Sequence, residues 1–97
     1  MHFMQLSDFA AQVNETFLVN VEGQDASFTL VEAAPMRSSA LPGQVRDAFS
    51  LLFRHEAAVV FPQRTYAMKH RVLGEFGIFL VPVARDRDGF IYQAVFN

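Results

Sequence analysis

A period of two runs through the chain from Thr16 onward. Phe17, Val19 and Val21 fall on one side of an extended backbone, and Thr16, Leu18, Asn20 and Glu22 on the other. The pattern recurs where Phe49, Leu51 and Phe53 alternate with Ser50, Leu52 and Arg54, and where Tyr66, Met68 and His70 alternate with Thr65, Ala67 and Lys69. A helix cannot gather such a set on one face, whereas a strand does so automatically. Turn residues punctuate the alternation at Glu22-Gly23-Gln24-Asp25, Arg71-Val72-Leu73-Gly74 and Arg85-Asp86-Arg87-Asp88-Gly89. The spacing therefore predicts strands over 16–22, 27–33, 49–55, 62–70, 76–83 and 90–96.

Two segments break the period. Leu6, Phe9, Ala10 and Val13 recur at helical spacing, and Ser7 with Asp8 offers an N-cap hydroxyl and a first-turn acid, which predicts a short helix over 7–14. Residues 34–47, APMRSSALPGQVRD, hold two prolines, a glycine and two serines without a sustained apolar period, and read as one long connection. Long connections in small domains often carry contacts. Phe76 to Val83 is apolar on both faces, the pattern of a central strand covered on each side, with Pro82 marking an edge or bulge.

The expected fold is mainly β, all-β or β-rich α+β. A short N-terminal helix precedes about six mostly antiparallel strands in a small barrel or bent sheet, and the helix closes one end; a two-layer sandwich is the alternative. Ninety-seven residues suit one domain, 1–97. A hydrophobic content of 52% with 11 Phe and no Trp argues for a phenylalanine core and against disorder. The last strand ends one residue before Asn97, so its removal is expected to be costly.

Several functions lack their signatures. A net charge of −2 with scattered Lys and Arg gives no nucleic-acid footprint. With no cysteine there is no thiol nucleophile, disulfide framework or thiolate metal site. The opening MHFMQLSDFA does not read as a signal peptide and Ile78 to Ala84 is too short for a membrane span, so a soluble, cytoplasmic protein without membrane contact is expected. Ser38 and Ser39 lack a nucleophile-elbow context, and Gly23, Gly43, Gly74, Gly77 and Gly89 are dispersed instead of clustered around a phosphate. Asp86 and Asp88 resemble a fragment of a calcium loop, but Arg85 and Arg87 interleave positive charge and a solvated hairpin tip is the simpler reading. Glu56 and Glu75 read as solvated acids.

The sharpest constellation is Arg54, His55 and Glu56 with Tyr66, Lys69 and His70. If the strands ending at His55 and His70 paired as a hairpin, these groups would converge on a ligand or active-site pocket near His55, Tyr66 and His70. Two histidines and one glutamate at no recognised metal spacing do not make a metal centre, and no metal, cofactor or catalytic residue is expected. Apolar residues on both faces of 27–33, 49–55 and 76–83 exceed what one small domain covers, which favours a protein partner or a homodimer. Met36, Arg37, Leu41 and Val45 in the long connection are the expected partner contacts.

The order FSLLF, PQRTYAMKH, LGEFGIFLVPV, GFIYQAVFN from Phe49 to Asn97 resembles the DUF6916 family of short bacterial proteins of uncharacterised function, and LSDFAAQVNETFLV resembles its opening. Arg64 and Gln93 stand where that family usually has glycine and glutamate, which argues against a catalytic carboxylate on the last strand. The resemblance implies a small β-rich domain. It further implies a non-enzymatic assembly role beside phage-tail, tail-fibre-like or collar-like structural proteins.

Overall fold

The structure, a computed structural model, describes residues 4–36, 48–57 and 59–96. Helix α1 (Leu6–Ala10) leads into β1 (Thr16–Val21), β2 (Gln24–Pro35), β3 (Phe49–His55), β4 (Arg64–His70), β5 (Gly74–Asp86) and β6 (Gly89–Phe96). All six strands pair antiparallel and close into a barrel in the order β1-β2-β3-β6-β5-β4. The sandwich alternative is thereby overturned: closure leaves no second sheet and no long free edge.

The period of two sets what goes inside. Phe17, Val19, Leu51, Phe53, Met68 and Leu80 are fully buried, each at 0% exposure, and their alternate neighbours face outward. Burying each such side chain contributes about 1.5–3 kcal/mol, so the interior is a packed core built mainly by alternation.

The helix is shorter than its sequence period suggests. Gln5, not Ser7, stands at the N-cap, and the Asp8 carboxylate accepts its N–H at 2.8 Å. Asn14, left-handed at φ 74, ends the turn that follows α1; its N–H donates to the Leu30 carbonyl and the Leu30 N–H donates to that of Glu15. Residues 14 and 15 are thus already docked on β2, and Val13 packs on the core from a turn, not from a helix.

Strand β2 extends beyond 27–33 in both directions. Its start forms the tight hairpin with β1, where Glu22 and Gly23 both take positive φ. Its far end takes Ala34 and Pro35 out of the expected connection; residues 37–47 of that connection lie outside the described residues. Two bulges bend the wall. Val31 is the extra residue opposite β3, and Val83 is the extra residue opposite β6, immediately after Pro82. The expectation that β5 is covered on both faces is corrected: Phe79 is 50% and Val83 49% exposed, because a closed barrel has one inside and, among the described residues, no further layer lies on this wall.

Candidate functional site

The polar chemistry of the barrel sits at its two ends. At the helix end, Phe9 enters from α1 and its ring meets those of Phe17, Phe49, Phe76 and Phe96 at centroid distances of 5.4–6.4 Å. Beside this plug, the His70 ring stacks on Phe17 at 4.4 Å. Its Nδ1 accepts the N–H groups of Val72 (3.1 Å) and Leu73 (3.3 Å) from the β4–β5 turn. Two donors on one nitrogen require a lone pair there, so the ring proton is on Nε2. Nε2 is buried without a hydrogen-bond partner, 3.4 Å from a Glu15 oxygen that already receives Arg71 at 2.9 Å.

The opposite end is closed by the segment 59–63. Phe61 packs on Phe28, His55 and Tyr92. Two phenols rise from the interior to hold its backbone: Tyr92 Oη accepts the Phe61 N–H at 2.8 Å, and Tyr66 Oη donates to the Pro62 carbonyl. Burial pushes both phenols above their ordinary value of 10.0, against an opposing pull from Arg64 on Tyr66 and from the Phe61 hydrogen bond on Tyr92. His55 lies flat on Phe28 with ring centres 4.8 Å apart, and its Nδ1 is 2.8 Å from the Ser27 carbonyl. A carbonyl only accepts, so here Nδ1 is the donor. The Nδ1 atoms of the two histidines thus play opposite roles, donor in His55 and acceptor in His70.

The constellation expected from sequence is therefore divided. In the closed order β3 and β4 are separated by β6 and β5 on one side and by β2 and β1 on the other, so the hairpin that would join His55 to His70 does not form. His55 and Tyr66 share the end closed by Phe61; His70 belongs to the helix end. Arg54 points outward and spans β6 to pair with Asp86 at 3.1 Å, Lys69 pairs with Asp25 at 3.1 Å, and Glu56 is exposed. Of the expected partner contacts, Met36 is exposed at the end of β2, whereas Arg37, Leu41 and Val45, with Ser38 and Ser39, lie outside the described residues. Glu75 is exposed, as expected, and Asp86 accepts the Asp88 N–H within its own turn.

Phe61, Tyr92 and Glu15 were not singled out by sequence. The signal for Tyr92 is a phenol at an inward position of the last strand, which demands a buried partner for its hydroxyl. Phe61 carries no periodic signal, since it precedes β4 and enters the barrel mouth from a connection.

The β1–β4 ladder is the shortest in the barrel, with only Leu18 opposite Lys69 and Val19 opposite Met68. A groove of about 400 Å³ at one end of this seam is lined by Thr16, Leu18, Lys69, His70 and Arg71. Another, of about 330 Å³, is lined by Val21, Glu22, Gln24, Asp25, Ala26 and Phe61. Among the described residues no three metal-ligating side chains converge, and no helix is long and apolar enough to cross a membrane.

These features define a closed six-stranded antiparallel barrel with an aromatic plug at each end and outer grooves among the described residues. The chain belongs to the DUF6916 family, described as a domain of unknown function, which it matches over residues 4–96. No curated protein and no solved structure is similar to it.

Proposed function

We propose that the chain is a non-enzymatic protein-binding or assembly module, and that it docks through the outer face of β5 and β6. The carrying observation is the exposure of Phe79 (50%), Val83 (49%) and Val95 (45%) on a wall whose inner face is already satisfied. The β5–β6 ladder ends where Val81 pairs with Gln93, and the same register carried two residues beyond that pair would set Phe79 level with Val95. The bulge at Val83 extends the same apolar stripe outward. Single exposed apolar residues are ordinary, but a contiguous set on a regular sheet marks a contact surface.

A structural protein of the tail-fibre-like or collar-like class is the partner implied by the family resemblance, with a homodimer as the other occupant. The test uses two measurements on the wild-type protein and on Phe79→Asp and Val95→Asp. Light scattering reports oligomeric state, and capture from host lysate with mass spectrometry reports the partner. Capture of one structural protein, abolished by both substitutions at unchanged melting temperature, supports the reading. A strictly monomeric protein whose captures are unaffected by either substitution overturns it.

A further inference from the structure

We propose that His70 is a proton-operated latch that holds the β4–β5 turn, and with it one wall of the groove beside β1, in its ordered arrangement only while its ring is neutral. The side chain is fully buried, at 0% exposure, and its Nδ1 is the common acceptor for the Val72 and Leu73 amides. These are consecutive residues of the three-residue turn 71–73, so one lone pair orders most of that turn. A second proton on the ring goes to Nδ1, because Nε2 already carries one. It removes the lone pair and sets an N–H against two other N–H groups, and in a buried site the loss of both bonds is not made up by water.

One charged neighbour opposes this loss. From the chain entering β1, the Glu15 carboxylate lies 3.4 Å from Nε2 and attracts an imidazolium, but it is already engaged by Arg71, whose own positive charge repels one. From β4 itself, Lys69 points outward to Asp25, and Arg71 follows in the turn. From β5, Gly74 stands opposite His70, and the next residue, Glu75, is exposed. From α1, the Asp8 carboxylate accepts the Gln5 amide. Phe17 covers the ring face. Protonation therefore drives the ring away from the turn amides, and Arg71 and His70, two of the five residues lining the groove of about 400 Å³, move with it. The direction follows from the hydrogen bonds: the ordered turn needs the Nδ1 lone pair and loses both bonds when a second proton takes it.

The experiment is nuclear magnetic resonance on the ¹⁵N-labelled full chain. Long-range proton–nitrogen correlation identifies the bare ring nitrogen at about pH 8, and hydrogen exchange of the Val72 and Leu73 amides is followed down to about pH 5, the interval in which imidazoles usually titrate. The expected result is a bare Nδ1 for His70 with a proton on Nε2. After correction for intrinsic exchange, protection of both turn amides then falls by about tenfold or more in step with the His70 ring, while amides of β3 keep theirs. His70→Asn places a non-titrating acceptor near the old Nδ1 position and is expected to abolish the step. A proton on Nδ1 at about pH 8, turn amides that hold while the ring titrates, a ring that stays neutral throughout, or a step that persists in His70→Asn would each overturn the proposal. The wild-type measurement alone decides the matter if the variant does not fold.

Discussion

Both ends of the barrel are closed by a phenylalanine, and they are closed by different physics. Phe9 is fully buried, at 0% exposure, and α1 brings its ring in among those of Phe17, Phe49, Phe76 and Phe96. Phe61 remains partly exposed, and two phenols tie down the backbone there, Tyr92 of β6 at the Phe61 N–H and Tyr66 of β4 at the Pro62 carbonyl. One closure is stabilised by buried area, which is non-directional. The other relies on directed bonds whose donors and acceptors can titrate or be left unpaired.

The difference sets an order of sensitivities. Phe9→Ala removes a fully enclosed ring and is expected to lose about 3–5 kcal/mol by urea denaturation, enough to bring a domain of this size close to its unfolding limit. Phe9→Leu, which keeps most of the volume, is expected to lose about 1–1.5 kcal/mol. Phe61→Ala, at the partly exposed end, is expected to lose about 1–2 kcal/mol. Equal losses from the two alanine substitutions would break the comparison, because they would place as much buried area under Phe61 as under Phe9.

The phenols sharpen it. Tyr92→Phe strands the Phe61 N–H at the barrel mouth and is expected to cost about 1–3 kcal/mol, whereas Tyr66→Phe frees a Pro62 carbonyl that water can reach and should cost about 1 kcal/mol. Burial raises the folded-state values of both hydroxyls above 10.0. Above that pH the unfolded chain gives up its phenolic protons first. The stabilisation is therefore complete below about 10 and is lost as the pH rises through the folded-state values. Phenolate absorbance followed together with hydrogen exchange should show the 59–63 segment opening in alkali before the Phe9 end does.

The strands were legible because alternation and turn chemistry agree along most of the chain, so Phe17, Phe53, Met68 and Leu80 fall inside as their spacing requires. The helix was legible through Phe9 but not in its extent. Val13 continues the helical period, yet Asn14 is drawn off by the Leu30 carbonyl, a contact that exists only once β2 is in place. The candidate site was less legible, for a related reason. Joining His55 to His70 required β3 to pair with β4, whereas β3 pairs with β6, and no local signal in either strand encodes that choice. The apolar outer face of β5 was visible as composition and fits both a covered central strand and a surface left for a partner, because Phe79 and Val83 look identical in sequence whether or not something covers them.

The smallest expected effect lies on the outer surface near the Phe61 end, where Arg54 reaches across β6 to Asp86. The Asp86 carboxyl is held below its ordinary 3.8, first by the Asp88 N–H within the turn; partial desolvation opposes this, and Arg54 adds to the lowering. A carboxylate depressed in the folded state contributes stability above 3.8 that fades as the pH falls through the folded-state value. Because the pair is solvated, that contribution is small and screened by salt. The informative comparison is Arg54→Met against wild type in a carbon-detected titration of the Asp86 carboxyl. Most of the depression should survive the loss of the guanidinium, since the turn amide supplies the larger share. If the carboxyl instead returns to its ordinary value in Arg54→Met, the Asp86-Gly89 turn does not order itself and depends on β3. The two ends would then be more alike than their plugs suggest: each would have a turn fixed by one side chain, His70 from the end of β4 and Arg54 from across the barrel wall.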